Sequence, residues 1–298
     1  MNAVCLTALW LSAAALAADG ASEKPSRPYA MWTESSMRRI MPATRPETVP
    51  ERPRHELSLA RGEYESFQIG LLADGAPVED VRLEARDLVQ VDGQARIPSE
   101  EIEWRQVGYV WIETLDAPWV KANIGAVADS EVPGWWPDPL LPVSSFDLEP
   151  DFAQAVWVTV HAPPGTPAGR YRGEVVVHAE GAAPAPARLE VRVFDFEIAP
   201  GAGHFRTAFA FHEQLIENIY GEPATVRQRR QFHDFALQHR LDSVNIYRST
   251  PPDVADLEHY LEGGMNCYPV LTVTRKGRPT DECRRLLSDF MQELAGSE

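Results

Sequence analysis

Between Phe194 and Gly203 the hydrophobic period of this chain changes, and the change rules out one uniform fold for the whole of it. Before that point apolar and polar residues alternate, the period-two signature of half-buried strands. Leu57-Ser58-Leu59-Ala60, Glu65-Ser66-Phe67-Gln68-Ile69-Gly70-Leu71 and residues 81–85, 155–160, 171–177 and 188–193 all read this way. Ala73-Asp74-Gly75, Val91-Asp92-Gly93 and the run Pro163-Pro164-Gly165-Thr166-Pro167-Ala168-Gly169 supply turns between them. Short strands with frequent Gly, Pro and Asp turns predict a β-sandwich over residues 29–200.

After residue 204 strand-like and helix-like stretches alternate. Residues 205–211, 243–247 and 268–273 read as strands. Thr225 caps a helix running to His239, with Phe232, Phe235, Ala236 and His239 at helical spacing, and a short helix covers 253–261. The last helix carries Cys283, Leu286, Leu287, Phe290, Met291 and Leu294 in one stripe. Alternating β and α implies a parallel sheet. The expected fold is therefore an all-β sandwich followed by the first three β/α units of an incomplete (β/α)8 TIM barrel over residues 204–298. Three units cannot close a barrel, so a C-terminal truncation is expected.

Residues 1–18 form an uncharged apolar run ending in small residues, the pattern of a cleaved signal peptide, and polar residues 19–28 form a linker. Export is the expectation. The net charge of −16 argues against a nucleic-acid partner, which needs a basic surface to neutralise phosphates. It argues equally against docking on anionic lipid, and the leader is too short to give membrane insertion. Cys267 and Cys283 fall at opposite ends of one β/α unit, so two buried free thiols are expected. The Trp-rich stretch 117–150, centred on Gly134-Trp135-Trp136-Pro137-Asp138-Pro139-Leu140-Leu141-Pro142, reads as an irregular loop whose Trp residues plug the core or the seam between the two parts if buried, or stack on a sugar face if exposed.

Parallel sheets bind ligands outside the carboxyl ends of their strands. That rule selects His212, Glu213 and Gln214 after the first strand and Asn245, Tyr247 and Arg248 at the second. Thr274, Arg275 and Lys276 follow the third. An aromatic ring, an amide and a carboxylate converging there suit a carbohydrate. No phosphate-binding glycine motif, nucleophile elbow or zinc spacing occurs, and no cofactor is expected. His204, His233, His239 and His259 form no convincing metal cluster, and no pair of catalytic carboxylates stands out.

The chain resembles glycoside hydrolase family 123 and its relatives. The resemblance rests on Arg61-Gly62-Glu63-Tyr64-Glu65-Ser66-Phe67-Gln68, Val107-Gly108-Tyr109-Val110, residues 134–140, 154–160 and 167–173, and His239-Arg240-Leu241. It implies a sandwich followed by a barrel and hydrolysis of β-linked N-acetylgalactosamine. It also implies substrate-assisted chemistry, in which the sugar's own acetamide attacks the anomeric carbon. In the family an adjacent Asp-Glu pair serves that step, and here it is expected beyond residue 298. Asp281-Glu282 instead begins a helix, where acidic residues favour the dipole. The alternative is a non-catalytic carbohydrate-binding or cell-surface scaffold protein of the same fold.

Overall fold

The computed structural model describes residues 27–113, 133–198, 209–245, 248, 250–271 and 279–296. The leader at 1–18, most of the linker, Tyr247 and residues 274–276 lie outside that set.

The alternating half of the chain forms the expected sandwich of two sheets. The first orders β1 (Tyr29–Ser35), β3 (Glu63–Ala73), β10 (Gln154–Ala162), β7 (Ile102–Ile112) and β8 (Gly134–Leu141). The second orders β2 (Arg54–Arg61), β12 (Ala185–Glu197), β11 (Gly169–His178), β4 (Val78–Ala85) and β9 (Phe146–Leu148), with the short β5 (Leu88–Gln90) and β6 (Arg96–Ile97) at its side. Every second residue turns inward, as the strand period requires. Phe67, Ile69 and Leu71 of β3 meet Val156, Val158 and Val160 of β10 and, across the core, Tyr171, Val175, Leu189 and Val191. Pairing is antiparallel except between β2 and β12, where Leu57 lies beside Val191 in a parallel ladder.

The outer face of the first sheet is covered by the chain that follows β1. Ile40 packs there with Trp32, Val107 and Ala155. Tyr109 donates its hydroxyl hydrogen to the carbonyls of Ile40 at 3.0 Å and Ala153 at 3.1 Å, and burial pushes its pKa up to about 12. Buried Gln68 donates to the carbonyls of Ser35 and Arg38 and pins the same segment.

The Trp-rich segment differs from the expected loop. Gly134–Leu141 is a strand at the sheet's edge, paired to β7 with Trp111 opposite Trp135. Pro137 and Pro139 withhold two donors there, which an edge tolerates. Trp135 meets Trp111 edge-to-face at 5.5 Å, and Arg39 lies over Trp136 at 5.0 Å. Among the described residues the ring contacts of both indoles are with the sandwich's own residues.

The barrel expectation is overturned. Past residue 208 the described residues hold two parallel strands, β13 (Phe209–Ala210) and β14 (Ser243–Val244), each two residues long. Four helices accompany them: α1 (Gln214–Tyr220), α2 (Val226–Gln238), α3 (Val254–Glu262) and α4 (Asp281–Gly296). Among the described residues no third strand follows α3, so alternating β/α units of a TIM barrel are not formed. Residues 268–271 have no ladder partner, and Pro269 lacks the amide hydrogen a central strand needs. A short apolar run does not by itself distinguish a strand from packed irregular chain.

Two helix faces also differ. On α2, Phe232 and Phe235 point outward, and His233 and Ala236 are the buried pair. The capping box at Thr225 and Gln228 forms as the sequence implies. On α4 only Phe290 is buried, against Val254 and Leu257, while Leu287 and Met291 remain exposed. Cys267 and Cys283 are free thiols, each half-buried rather than buried.

Two segments that carried the family resemblance meet at the junction of the sandwich and the helical part. Arg240, with φ of 56°, sends Nη2 to the Gly62 carbonyl at 2.6 Å. Gly62 turns between β2 and β3 with φ of 74°, and a Cβ there would stand 2.7 Å from the Ile198 carbonyl oxygen. Only glycine fits both the left-handed backbone and the close approach. Gly62→Ala is expected to cost about 1–3 kcal/mol and to loosen the Gly62–Arg240 junction, making it easier to cleave. Denaturant unfolding with limited proteolysis checks this; unchanged unfolding and cleavage would contradict it.

Candidate functional site

The polar cluster of the helical part lies where β13 and β14 end. Phe211 donates to the Val244 carbonyl, after which the chain turns through His212 and Glu213 into α1. Glu213 faces α2. Its Oε1 lies 3.8 Å from Nε2 of His233 and its Oε2 lies 4.0 Å from Nε of Arg229. Arg229 and His233 are four residues apart, so one helix face presents both. The His233 ring stacks on Tyr260 of α3 at 4.1 Å, and its Nδ1 lies 2.5 Å from Ser243 Oγ.

A second carboxylate fixes the helices behind this cluster. Asp256 of α3 accepts from Arg229 Nη2 at 2.7 Å and from Arg230 Nε at 2.9 Å. On the far side Arg248 donates to the Tyr268 hydroxyl at 2.5 Å and lies over its ring at 5.2 Å.

These charges set the protonation states. The His233 ring, then Arg248 and Arg229, hold the Glu213 carboxyl below its ordinary value against the opposing effect of burial. Burial alone would raise Asp256, but the two guanidinium groups outweigh it and lower its pKa. Burial raises the pKa of the Tyr260 and Tyr268 hydroxyls, so both stay neutral. A general acid needs a raised pKa to hold its proton near neutrality. With its pKa lowered, Glu213 is an ionised hydrogen-bond acceptor near neutrality and not a proton donor. Ser243, His233 and Glu213 form a nucleophile-like file, but Ser243 is 2% exposed and no substrate reaches it.

Of the residues selected from the sequence, Glu213 and Arg248 are brought within electrostatic reach of each other. Asn245 directly follows β14, and its carbonyl accepts from the Arg248 amide. His212 is exposed, with Nδ1 accepting from the Gln214 amide at 3.3 Å. Tyr247 lies outside the described residues. Arg229, His233, Asp256, Tyr260 and Tyr268 were missed. The Arg229–His233 spacing was visible in the sequence, but the exposed Phe232 and Phe235 drew the inward face to the wrong side. Asp281 and Glu282 open α4, with the Asp281 side chain fully in solvent. Among the described residues no three His, Cys, Asp or Glu side chains are grouped to hold a metal, and no helix is long and apolar enough to cross a membrane.

Residues 43–179 match the family model of the glycoside hydrolase 123 N-terminal domain. Among solved structures the chain is similar to a family 123 glycoside hydrolase from Clostridium perfringens, studied for glycolipid glycan hydrolysis. The TM-score is 0.59 at 13% identity, over 79% of this chain and 45% of that one. At that identity the likeness is one of fold, and the chain spans less than half the length of the structure it matches. A PapD-like domain of human CEP192 overlaps with a TM-score of 0.27 at 13% identity, over 66% of this chain and 99% of that one, too slight to support an argument. No curated protein sequence matches.

Proposed function

We propose that this chain belongs to an exported glycoside hydrolase acting on β-linked N-acetylhexosamine, N-acetylgalactosamine above all, by substrate-assisted retaining hydrolysis. The observation that carries the reading is the glycoside hydrolase 123 N-terminal match over residues 43–179, together with the shared fold extending over 79% of the chain. In this reading the ionised Glu213 accepts hydroxyl hydrogens of the sugar. His212, Asn245, Tyr247 and Arg248 are assigned further contacts to the sugar by their sequence positions after the first and second strands. Substrate-assisted cleavage also needs a carboxylate that orients the acetamide and a neighbouring acid, held together on a rigid element. Among the described residues no strand end offers that pair, and the Glu213 cluster is assigned the binding part of the reaction.

Titration with N-acetylgalactosamine and incubation with 4-nitrophenyl β-N-acetylgalactosaminide test this. The chain is expected to bind the sugar weakly, to release no nitrophenol, and to lose about tenfold or more in affinity on Glu213→Gln. Turnover that disappears on Glu213→Gln or Glu282→Gln would show the catalytic carboxylates to lie in this chain. Binding unaffected by Glu213→Gln would remove the cluster from sugar recognition.

A further inference from the structure

A cleft of about 530 Å³ opens between the sandwich and the helical part, and its walls are built rather than accidental. On the sandwich side Tyr64 of β3 pairs in register with His161 of β10. The two rings stack at 4.0 Å with 8° between their planes. His161 is itself held by Glu101, whose carboxylate lies 2.6 Å from Nδ1. One face of the Tyr64 ring is thus occupied and fixed, while the residue as a whole stays 56% exposed to the cleft and solvent. The opposite wall comes from α2 and the residues just after it. Asp234 and Gln238 stand four apart on that helix, and Arg240 closes the corner through its bond to Gly62. Asp234 is oriented by His259 at 2.8 Å and keeps its side chain 43% exposed.

A flat aromatic platform that lines one cleft with a carboxylate and an amide is the pairing that a saccharide uses: the sugar's apolar face stacks and its hydroxyls find acceptors and donors. The volume falls in the range of about 300–1,000 Å³ common to small-molecule sites. We propose that this cleft is a second saccharide-binding site, taking one or two neutral sugar rings with one ring face on Tyr64. It is separate from the Glu213 cluster. Arg240 precedes β14 and Arg248 follows it, and α2 turns His233 toward Glu213 but Asp234 toward the cleft. The assignment does not depend on the hydrolase reading, since it concerns binding alone.

Calorimetric titration of the full chain with lactose and with N,N'-diacetylchitobiose tests the proposal, with choline chloride as the cationic control. Saturable millimolar binding of at least one disaccharide is expected, weakened about tenfold or more by Tyr64→Ala and retained by Tyr64→Phe, which still stacks. Arg248→Ala should leave that Tyr64-dependent binding in place. If Tyr64→Ala fails to fold, the same titration on Asp234→Asn and Gln238→Ala, both on an exposed helix face, should show the loss instead. Absence of saturable binding, equal binding by wild type and these variants, loss on Arg248→Ala alone, or preference for choline would each overturn it.

Discussion

Replacing Asp256 with alanine is expected to destabilise the helical part by about 3–5 kcal/mol, the usual penalty for removing one partner of a buried ion pair. The carboxylate is 7% exposed and receives two guanidinium groups, one from each of two successive residues of α2. Without it both guanidinium groups keep their desolvation and lose their nearest carboxylate, and Arg229 keeps only the longer contact to Glu213 at 4.0 Å. The acid response follows the same chemistry. Asp256 and Glu213 both have pKa values depressed in the folded chain. A depressed carboxyl adds stability that is complete above its unfolded value, about 4, and is lost as pH falls through the folded value. Denaturant unfolding followed by helix circular dichroism should therefore show little change from pH 7 to 5 and a decline below about pH 4. That decline should be shallower in Asp256→Ala. An identical acid profile for wild type and variant would sink this account.

The second large effect belongs to the sandwich. Phe67→Ala is expected to cost about 3–5 kcal/mol, because a fully buried aromatic leaves a cavity that a close-packed core fills only partly. Phe67 is 1% exposed, sits on a strand paired on both sides, and stacks on His55 at 4.7 Å. The thermal midpoint should fall by roughly 6–20 °C, at about 2–4 °C per kcal/mol for a unit of this size. Tyr64→Ala, three residues earlier on the same strand but exposed, should move it far less. Equal shifts for the two variants would mean that burial does not decide the loss.

The sandwich was legible because alternation is a local property. Residues 57–60, 65–71, 155–160 and 188–193 announce their strands by which neighbours are apolar, and burial against a second sheet follows from that. Thr225 and Asp253 were equally readable as helix starts, since a cap needs only its own side chain and an amide two or three residues on. Pairing was not readable. Nothing local distinguishes Gly134–Leu141 as an edge strand from a proline-rich loop, because the ladder that makes it a strand is supplied by β7. The run at 268–273 had strand composition but, over its described residues, no partner. The site divides in the same way. Strand-end logic found Glu213 and Arg248 within one sequence window each. Asp256 is joined to Arg229 and Arg230, and Arg240 to Gly62, by contacts between residues 26 to 178 positions apart. Sequence period determines which face of an element is apolar. Which charges that face meets, and so which carboxyl stays ionised, was decided only when α2 was laid between α3 and the end of β13.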